Sequence, residues 1–216
     1  MNLIMDALTW LGSSTAWSGP GAIPQRILEH LLLTAVVVSI SFILAVPLGI
    51  LVGHFRIGGN LVQAVAGAGR AIPTLGLLTL LGLWMGIGLA APTLALIVLA
   101  APPLLAGAFA GVTSVEPATV TAARAIGMSE WQIIRGVEIP LAAPLILGGL
   151  RSAVTQVIAT ATLAAYTADA GLGRFIFSGL KTRDYGEMIG GALLVIALAL
   201  LLEALFALTP QRKARP

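Results

Sequence analysis

The chain contains no cysteine. Disulfides, thiol nucleophiles and thiolate metal sites are therefore excluded. His30 and His54 are the only histidines, which argues against a histidine-based metal site. Charge is scarce too. Asp, Glu, Lys and Arg make up 10% of the 216 residues, against about 25% in a soluble domain. No G-x-x-x-x-G-K-[ST] sequence is present, so these residues offer no phosphate cradle of that kind. What remains is apolar: 58% of the chain is hydrophobic, with 25 glycines and 12 prolines. That balance describes an all-α, membrane-embedded protein.

A membrane-spanning helix needs about 20 mainly apolar residues. Five stretches qualify: 31–53, interrupted late by Pro47; 61–85, interrupted by Arg70 and Pro73; 92–112, with Pro102 and Pro103; 142–165; and 188–208. Prolines inside spans remove a hydrogen bond and invite a kink. Residues 1–25 lack the basic start and long apolar core of a cleavable signal. With Leu8, Trp10, Leu11 and Trp17 they are expected to lie at the membrane surface or to form a disordered tail.

Basic residues set direction. With the 116–140 segment inside, the inner group holds eight basic residues (Arg56, Arg70, Arg124, Arg135, Arg151, Arg212, Lys213, Arg215) and three acidic ones (Glu116, Glu130, Glu138). The outer group holds four basic residues (Arg26, Arg174, Lys181, Arg183) and five acidic ones (Asp6, Glu29, Asp169, Asp184, Glu187). Leaving out Glu203, the balance is +5 inside against −1 outside. The N-terminus is then outside and the C-terminus inside. Arg70 and Arg151, near span ends, can snorkel to the interface. Three parts follow: an outer segment 1–27, a transmembrane domain 28–208 and a basic inner tail 209–216. Five spans rich in small residues make a thin wall, so a polar path is expected at an interface between subunits.

Residues 116–140 form the longest stretch unsuited to a bilayer. Pro117 suits a first helical position. Gly127 can take the left-handed conformation that ends a helix. Ser129 followed by Gln132 is a capping-box pattern. Pro140 is expected to end the second helix near Ile139. Trp131, Ile134 and Glu138 fall at helical spacing, beside Ile133 and Val137. An exposed Trp and Ile on a short helix need a partner or a membrane.

The spacing here resembles the EAA loop of ABC importer permeases. Thr121-Ala122-Ala123, three residues, Gly127, nine residues, then Val137-Glu138-Ile139-Pro140 follow the family pattern. Thr121 stands where that pattern has Glu. The runs Arg70-Ala71-Ile72-Pro73-Thr74-Leu75, Gly86-Ile87-Gly88, Ala161-Thr162-Leu163-Ala164-Ala165-Tyr166, and Gly171-Leu172-Gly173 with Gly179-Leu180 are similar to the permeases for quaternary-amine osmoprotectants. Thr167-Ala168-Asp169-Ala170 departs from the glycine-rich sequence expected before Gly171.

The resemblance implies the five-helix core of a type I ABC importer permease, imported solutes such as glycine betaine, choline or carnitine, and a bacterial cytoplasmic (inner) membrane. It implies partners: cytoplasmic ATPase subunits that hold ATP and Mg, a second permease subunit, and an extracytoplasmic solute-binding protein. No cofactor on this chain and no nucleic acid are expected. It also implies that the 116–140 loop docks on the ATPase, through Thr121, Ala122, Ala123, Gly127, Trp131, Ile134, Val137, Ile139 and Pro140.

The densest polar series lies in the fourth span. Ser152, Thr155, Gln156 and Ala159 share a helical face that Thr162 and Tyr166 are expected to continue. Such a stripe could line a solute path. Mid-span aromatics are few (Phe42, Trp84, Phe109), so no aromatic cage for a quaternary ammonium ion is visible. That agrees with what the resemblance implies, selection by a separate binding protein. Residues 169–187 are expected to form an outer loop that meets it. The alternatives are the same machine carrying another small solute, such as an amino acid, or a gradient-driven carrier. The latter would favour acidic residues deep in the bilayer. Glu203 is the one candidate, and it is expected to serve packing instead.

Overall fold

The computed structural model describes residues 2–208, with Arg70 described by its backbone alone. The tail 209–216 and the Arg70 side chain lie outside the described residues. Eleven α-helices account for most of the described chain: α1 (Leu3–Gly12), α2 (Ser14–Trp17), α3 (Ile23–His54), α4 (Gly59–Ala71), α5 (Thr74–Met85), α6 (Ala90–Thr113), α7 (Pro117–Ala125), α8 (Glu130–Ile133), α9 (Ile139–Thr160), α10 (Gly173–Thr182) and α11 (Tyr185–Ala207). A π-helical turn, Ile134–Glu138, links α8 to α9, and a 3₁₀ turn, Ala161–Tyr166, follows α9.

Four helical runs are long and apolar enough to cross a membrane: Ile23–His54, Ala90–Thr113, Glu130–Tyr166 and Tyr185–Ala207. The expected second span is broken at Pro73 into two helices, α4 and α5. Pro73 stands at the start of α5 in an extended conformation, as its missing N–H and fixed φ favour. The other prolines do not break their helices. Pro47 lies inside α3, Pro102 and Pro103 inside α6, and Pro144 inside α9. Arg151 lies well inside α9, not at its end. It is half-buried and engaged.

The described residues divide into two compact units: 2–37, Pro73–Ile97 and Thr155–Phe206 in the first; Val38–Ile72, Val98–Val154 and 207–208 in the second. In the first, the N-terminal segment is neither a tail nor simply a surface helix. Trp10 stacks edge-on to Phe175 at 5.0 Å between ring centroids. It also packs against Gly190, where a side chain would collide with the indole. Ala16, Ile23, Leu172, Phe175 and Val195 form the core beneath it. Ile4, Met5 and Leu8, on the remainder of α1, stay exposed. The expected outer loop 169–187 contains a helix, α10, whose inner face carries Phe175 and Gly179.

Arg26 organises the polar part of this unit. Only 7% exposed, it donates to Glu29 at 2.9 Å, to the Asp169 carboxylate at 2.9 Å and to the Asp169 carbonyl at 2.7 Å. Glu29 in turn accepts from the Gly171 amide at 2.9 Å. The planar guanidinium fork serves several acceptors at once. Asp169, in the expected outer loop, is held by Arg26 and by Arg174.

In the second unit, α6 packs at backbone distance. A Cβ on Gly107 would stand 2.9 Å from the Gly149 Cα and from the Leu145 carbonyl. Only glycine allows this approach.

Candidate coupling site

The 116–140 segment is built by local signals. Pro117 opens α7 at its first turn. At the other end Gly127 takes φ +87°. The Gly127 amide donates to the Arg124 carbonyl at 3.0 Å, and the Met128 amide to the Ala123 carbonyl at 3.2 Å. Those two bonds define a Schellman cap. Ser129 then caps α8 in a complete capping box: its hydroxyl accepts from the Gln132 amide, and the Gln132 side chain accepts from the Ser129 amide. Val115, Val120, Ala123 and Ile133 bury together, with Met128 and Val137 against them. This small core holds α7 and α8 as one body.

The second helix does not stop at Pro140. The Ile139 amide donates to the Ile134 carbonyl, five residues back, and α9 runs on through Pro140 to Thr160. A proline ring clashes with the carbonyl four residues earlier in a regular helix. The wider π turn immediately before it relieves that clash and keeps the chain helical. The segment expected as a closed loop is therefore continuous with the next membrane-spanning run.

The turn also re-aims side chains. At about 100° per residue, positions eight apart in an α-helix would point about 80° from each other. The π winding reduces that offset. Glu130 and Glu138 consequently reach the same side chain, His54, at the end of α3. His54 Nε2 lies 3.0 Å from Glu130 Oε2, and Nδ1 lies 2.7 Å from Glu138 Oε2. The His54 and Glu138 side chains are 1% and 4% exposed. Arg124 closes the other side of Glu130 through two bonds, 2.8 and 2.9 Å. Those bonds hold the Arg124 pKa above its ordinary value. Among the described residues, no three His, Cys, Asp or Glu are grouped so as to hold a metal ion.

The expected docking residues divide into two sets. Thr121, Ala122, Gly127, Trp131 and Pro140 are exposed. Ala123 and Ile134 are buried, and Val137 and Ile139 are half-buried. Ile134, expected on the outer face with Trp131, is only 5% exposed because it packs inward beside Ile133. Ile126, not singled out by its spacing, is 80% exposed and Trp131 62%. Trp131 carries the Arg135 guanidinium over its ring at 5.7 Å, and Met128, Trp131, Gln132, Arg135 and Gly136 line an open groove. The Thr121 hydroxyl donates to the Pro117 carbonyl of its own helix at 2.9 Å.

The polar stripe of the fourth span runs into a change of winding. α9 gives way to a 3₁₀ turn at Ala161, where residues three apart come into line. Thr162 is half-buried there and Tyr166 exposed. Thr162 donates to the Ala159 carbonyl at 3.0 Å, and Tyr166 lies tilted against Phe177. Thr155 donates to Glu203 at 3.2 Å. Ser152 is exposed and Gln156 half-buried.

Residues 45–215 match the family of binding-protein-dependent transport system inner membrane components. The chain belongs to that family. It is a multi-pass membrane permease subunit. It is 34% identical over 188 residues to the glycine betaine/carnitine/choline transport system permease protein OpuCB of Bacillus subtilis (strain 168), covering 87% of this chain and 86% of the relative. The carnitine transport permease protein OpuCB of Listeria monocytogenes is 37% identical over 175 residues, 81% of this chain and 80% of the relative. In solved structures, a chain of the inward-facing MetNI methionine ABC transporter superposes with a TM-score of 0.72 at 23% identity, over 86% of this chain and 93% of the other. A chain of an amino acid ABC transporter gives 0.69 at 20% identity, over 96% and 98%. These two likenesses show the fold.

Proposed function

We propose that this chain is the membrane permease of an ATP-driven importer of glycine betaine, choline, carnitine or a related osmoprotectant. The names of the relatives and the osmoprotectant-type runs around Pro73, Gly86 and Gly171 support the substrate class. The protein would lie in a bacterial inner membrane, N-terminus outside and C-terminus inside. It would pair with a second permease subunit and receive solute from an extracytoplasmic binding protein. ATP and Mg would be held by separate ATPase subunits on the cytoplasmic side. Ser152, Thr155 and Gln156 of α9, with Thr162 and Tyr166 of the 3₁₀ turn, are proposed to border the solute path.

The observation that carries this reading is the uninterrupted helix from α8 through the π turn into α9. An exposed, doubly capped element is thereby joined to a membrane-crossing run without a flexible joint. A push on Ile126 and Trp131 by a closing ATPase would move α9 directly. ATP binding would bring the coupling elements of two permeases together and open the path outward, and hydrolysis would reset it.

The test is the double variant Gly127→Pro with Trp131→Ala in the reconstituted transporter. Proline cannot take the left-handed φ of Gly127, and the second change removes the exposed indole. The expected result is a protein that inserts but no longer binds the ATPase or takes up solute. Normal ATP-dependent uptake would refute the coupling role. Uptake by this chain in vesicles without any ATPase would instead support a gradient-driven carrier.

A further inference from the structure

We propose that His54 is a positioning residue that works as an imidazolium, clasping the coupling segment to the end of α3. The inference rests on the reading of 116–140 as the coupling element. It adds that proton occupancy of one buried ring decides how tightly that element is tied to a second membrane helix.

The geometry carries the claim. Carboxylates accept hydrogen bonds and do not donate them when ionised. His54 faces one carboxylate oxygen from each ring nitrogen, Glu138 at 2.7 Å and Glu130 at 3.0 Å. A neutral imidazole would satisfy one of these and turn a lone pair on the other. Only the doubly protonated ring donates to both. The charges agree: Arg124, Glu130, His54 and Glu138 sum to zero with His54 protonated, and leave a net negative charge beside buried Glu138 without that proton. Burial makes such an uncompensated charge costly.

The surroundings fix the ring. Phe55 stands edge-on to it at 5.0 Å between centroids. Two residues on, Arg56 turns the chain with φ 52° and donates to the Val115 carbonyl at 3.0 Å. The charged groups around the ring are Glu138 from the π turn, Glu130 from α8, Arg124 from α7 acting through Glu130, and Arg56 from its own segment. The π turn is what brings both glutamates within reach. Ile126 and Trp131, the exposed docking residues, are not part of the clasp.

The sign follows. Protons removed at rising pH take one donor from the ring and release one glutamate, so the clasp weakens on the alkaline side. The direct test labels this chain with ¹⁵N-histidine in the complete, reconstituted transporter, where its two histidines are His30 and His54. The expected spectrum shows both His54 ring nitrogens protonated at neutral pH. A neutral His54 tautomer would overturn the proposal.

The functional test measures solute imported per ATP hydrolysed. His54→Gln is expected to keep its ATPase partner and to lower that ratio on the order of tenfold. The wild-type ratio is expected to fall towards the variant's as pH rises, while the variant's own ratio stays flat. Identical pH profiles for the two proteins, or loss of ATPase binding by His54→Gln, would overturn the proposal. Should that variant fail to insert, Glu130→Gln serves, since Glu130 is half-exposed: it is expected to leave His54 singly protonated at neutral pH. A doubly protonated ring in Glu130→Gln would contradict the clasp. Failure of the underlying coupling reading is separately visible as normal uptake in the Gly127→Pro, Trp131→Ala protein.

Discussion

Arg26 in the first unit and His54 in the second do the same job with different chemistry. Each is a buried, nitrogen-bearing side chain that joins segments far apart in sequence. Arg26 holds Glu29 and Asp169; His54 holds Glu130 and Glu138. Arginine keeps its charge at any physiological pH and offers a fork of donors. Histidine gains and loses its charge near neutrality. The Arg26 cluster is thus a fixed tie, suited to a region that must hold its shape. The His54 cluster is proposed to be a tie that protons can loosen, and it sits on the element through which movement is proposed to enter.

The largest effect is expected from breaking the fixed tie. Arg26→Ala leaves Glu29 and Asp169 without their shared donor, at a cost of about 2–4 kcal/mol. Thermal unfolding in detergent should show the loss, with no change in its size between about pH 6 and 8, where arginine does not titrate. A loss that varied with pH over that range would erase the distinction between the two ties. Next in size is Ser129→Ala. Removing the cap of α8 is expected to cost about 1 kcal/mol and to loosen Glu130 at its base. Faster amide exchange across 130–133, with unchanged exchange in α10, would sharpen the comparison. Equal change in both places would blunt it. Thr121→Ala should do least. The hydroxyl bonds only to its own helix and touches neither cluster, so stability should stay within about 0.5 kcal/mol. A larger drop would mean that Thr121 supports the segment in a way its single bond does not reveal.

Much of the coupling element was legible because its signals are local. Pro117, Gly127, and Ser129 with Gln132 each mark a helix end within a few residues, and each end lies where its signal puts it. The membrane-crossing runs were legible for the same reason: apolar length needs no tertiary information. What escaped was set by distance or by competing local rules. Pro140 reads as a stop, yet a π turn upstream lets the helix continue. His54 and Glu138 are 84 residues apart, and nothing in either neighbourhood announces the pairing. Trp10 on Gly190 is equally remote. Ile134 shares helical spacing with Trp131 but turns inward, because the π turn alters the winding there. α10 was a missed local signal: Leu172, Phe175, Ile176 and Gly179 already lie at helical spacing, but the surrounding charges drew the reading towards a loop.

The coupling role can be tested most directly through the absence of cysteine. A single Cys placed at Ile126 or Trp131 is the only thiol in this chain, so its cross-links report that position alone. In the assembled transporter, Ile126→Cys and Trp131→Cys should each cross-link to the ATPase subunit, and Leu83→Cys, exposed on α5, should not. Cross-links absent at both 126 and 131, or equally strong at 83, would contradict the account.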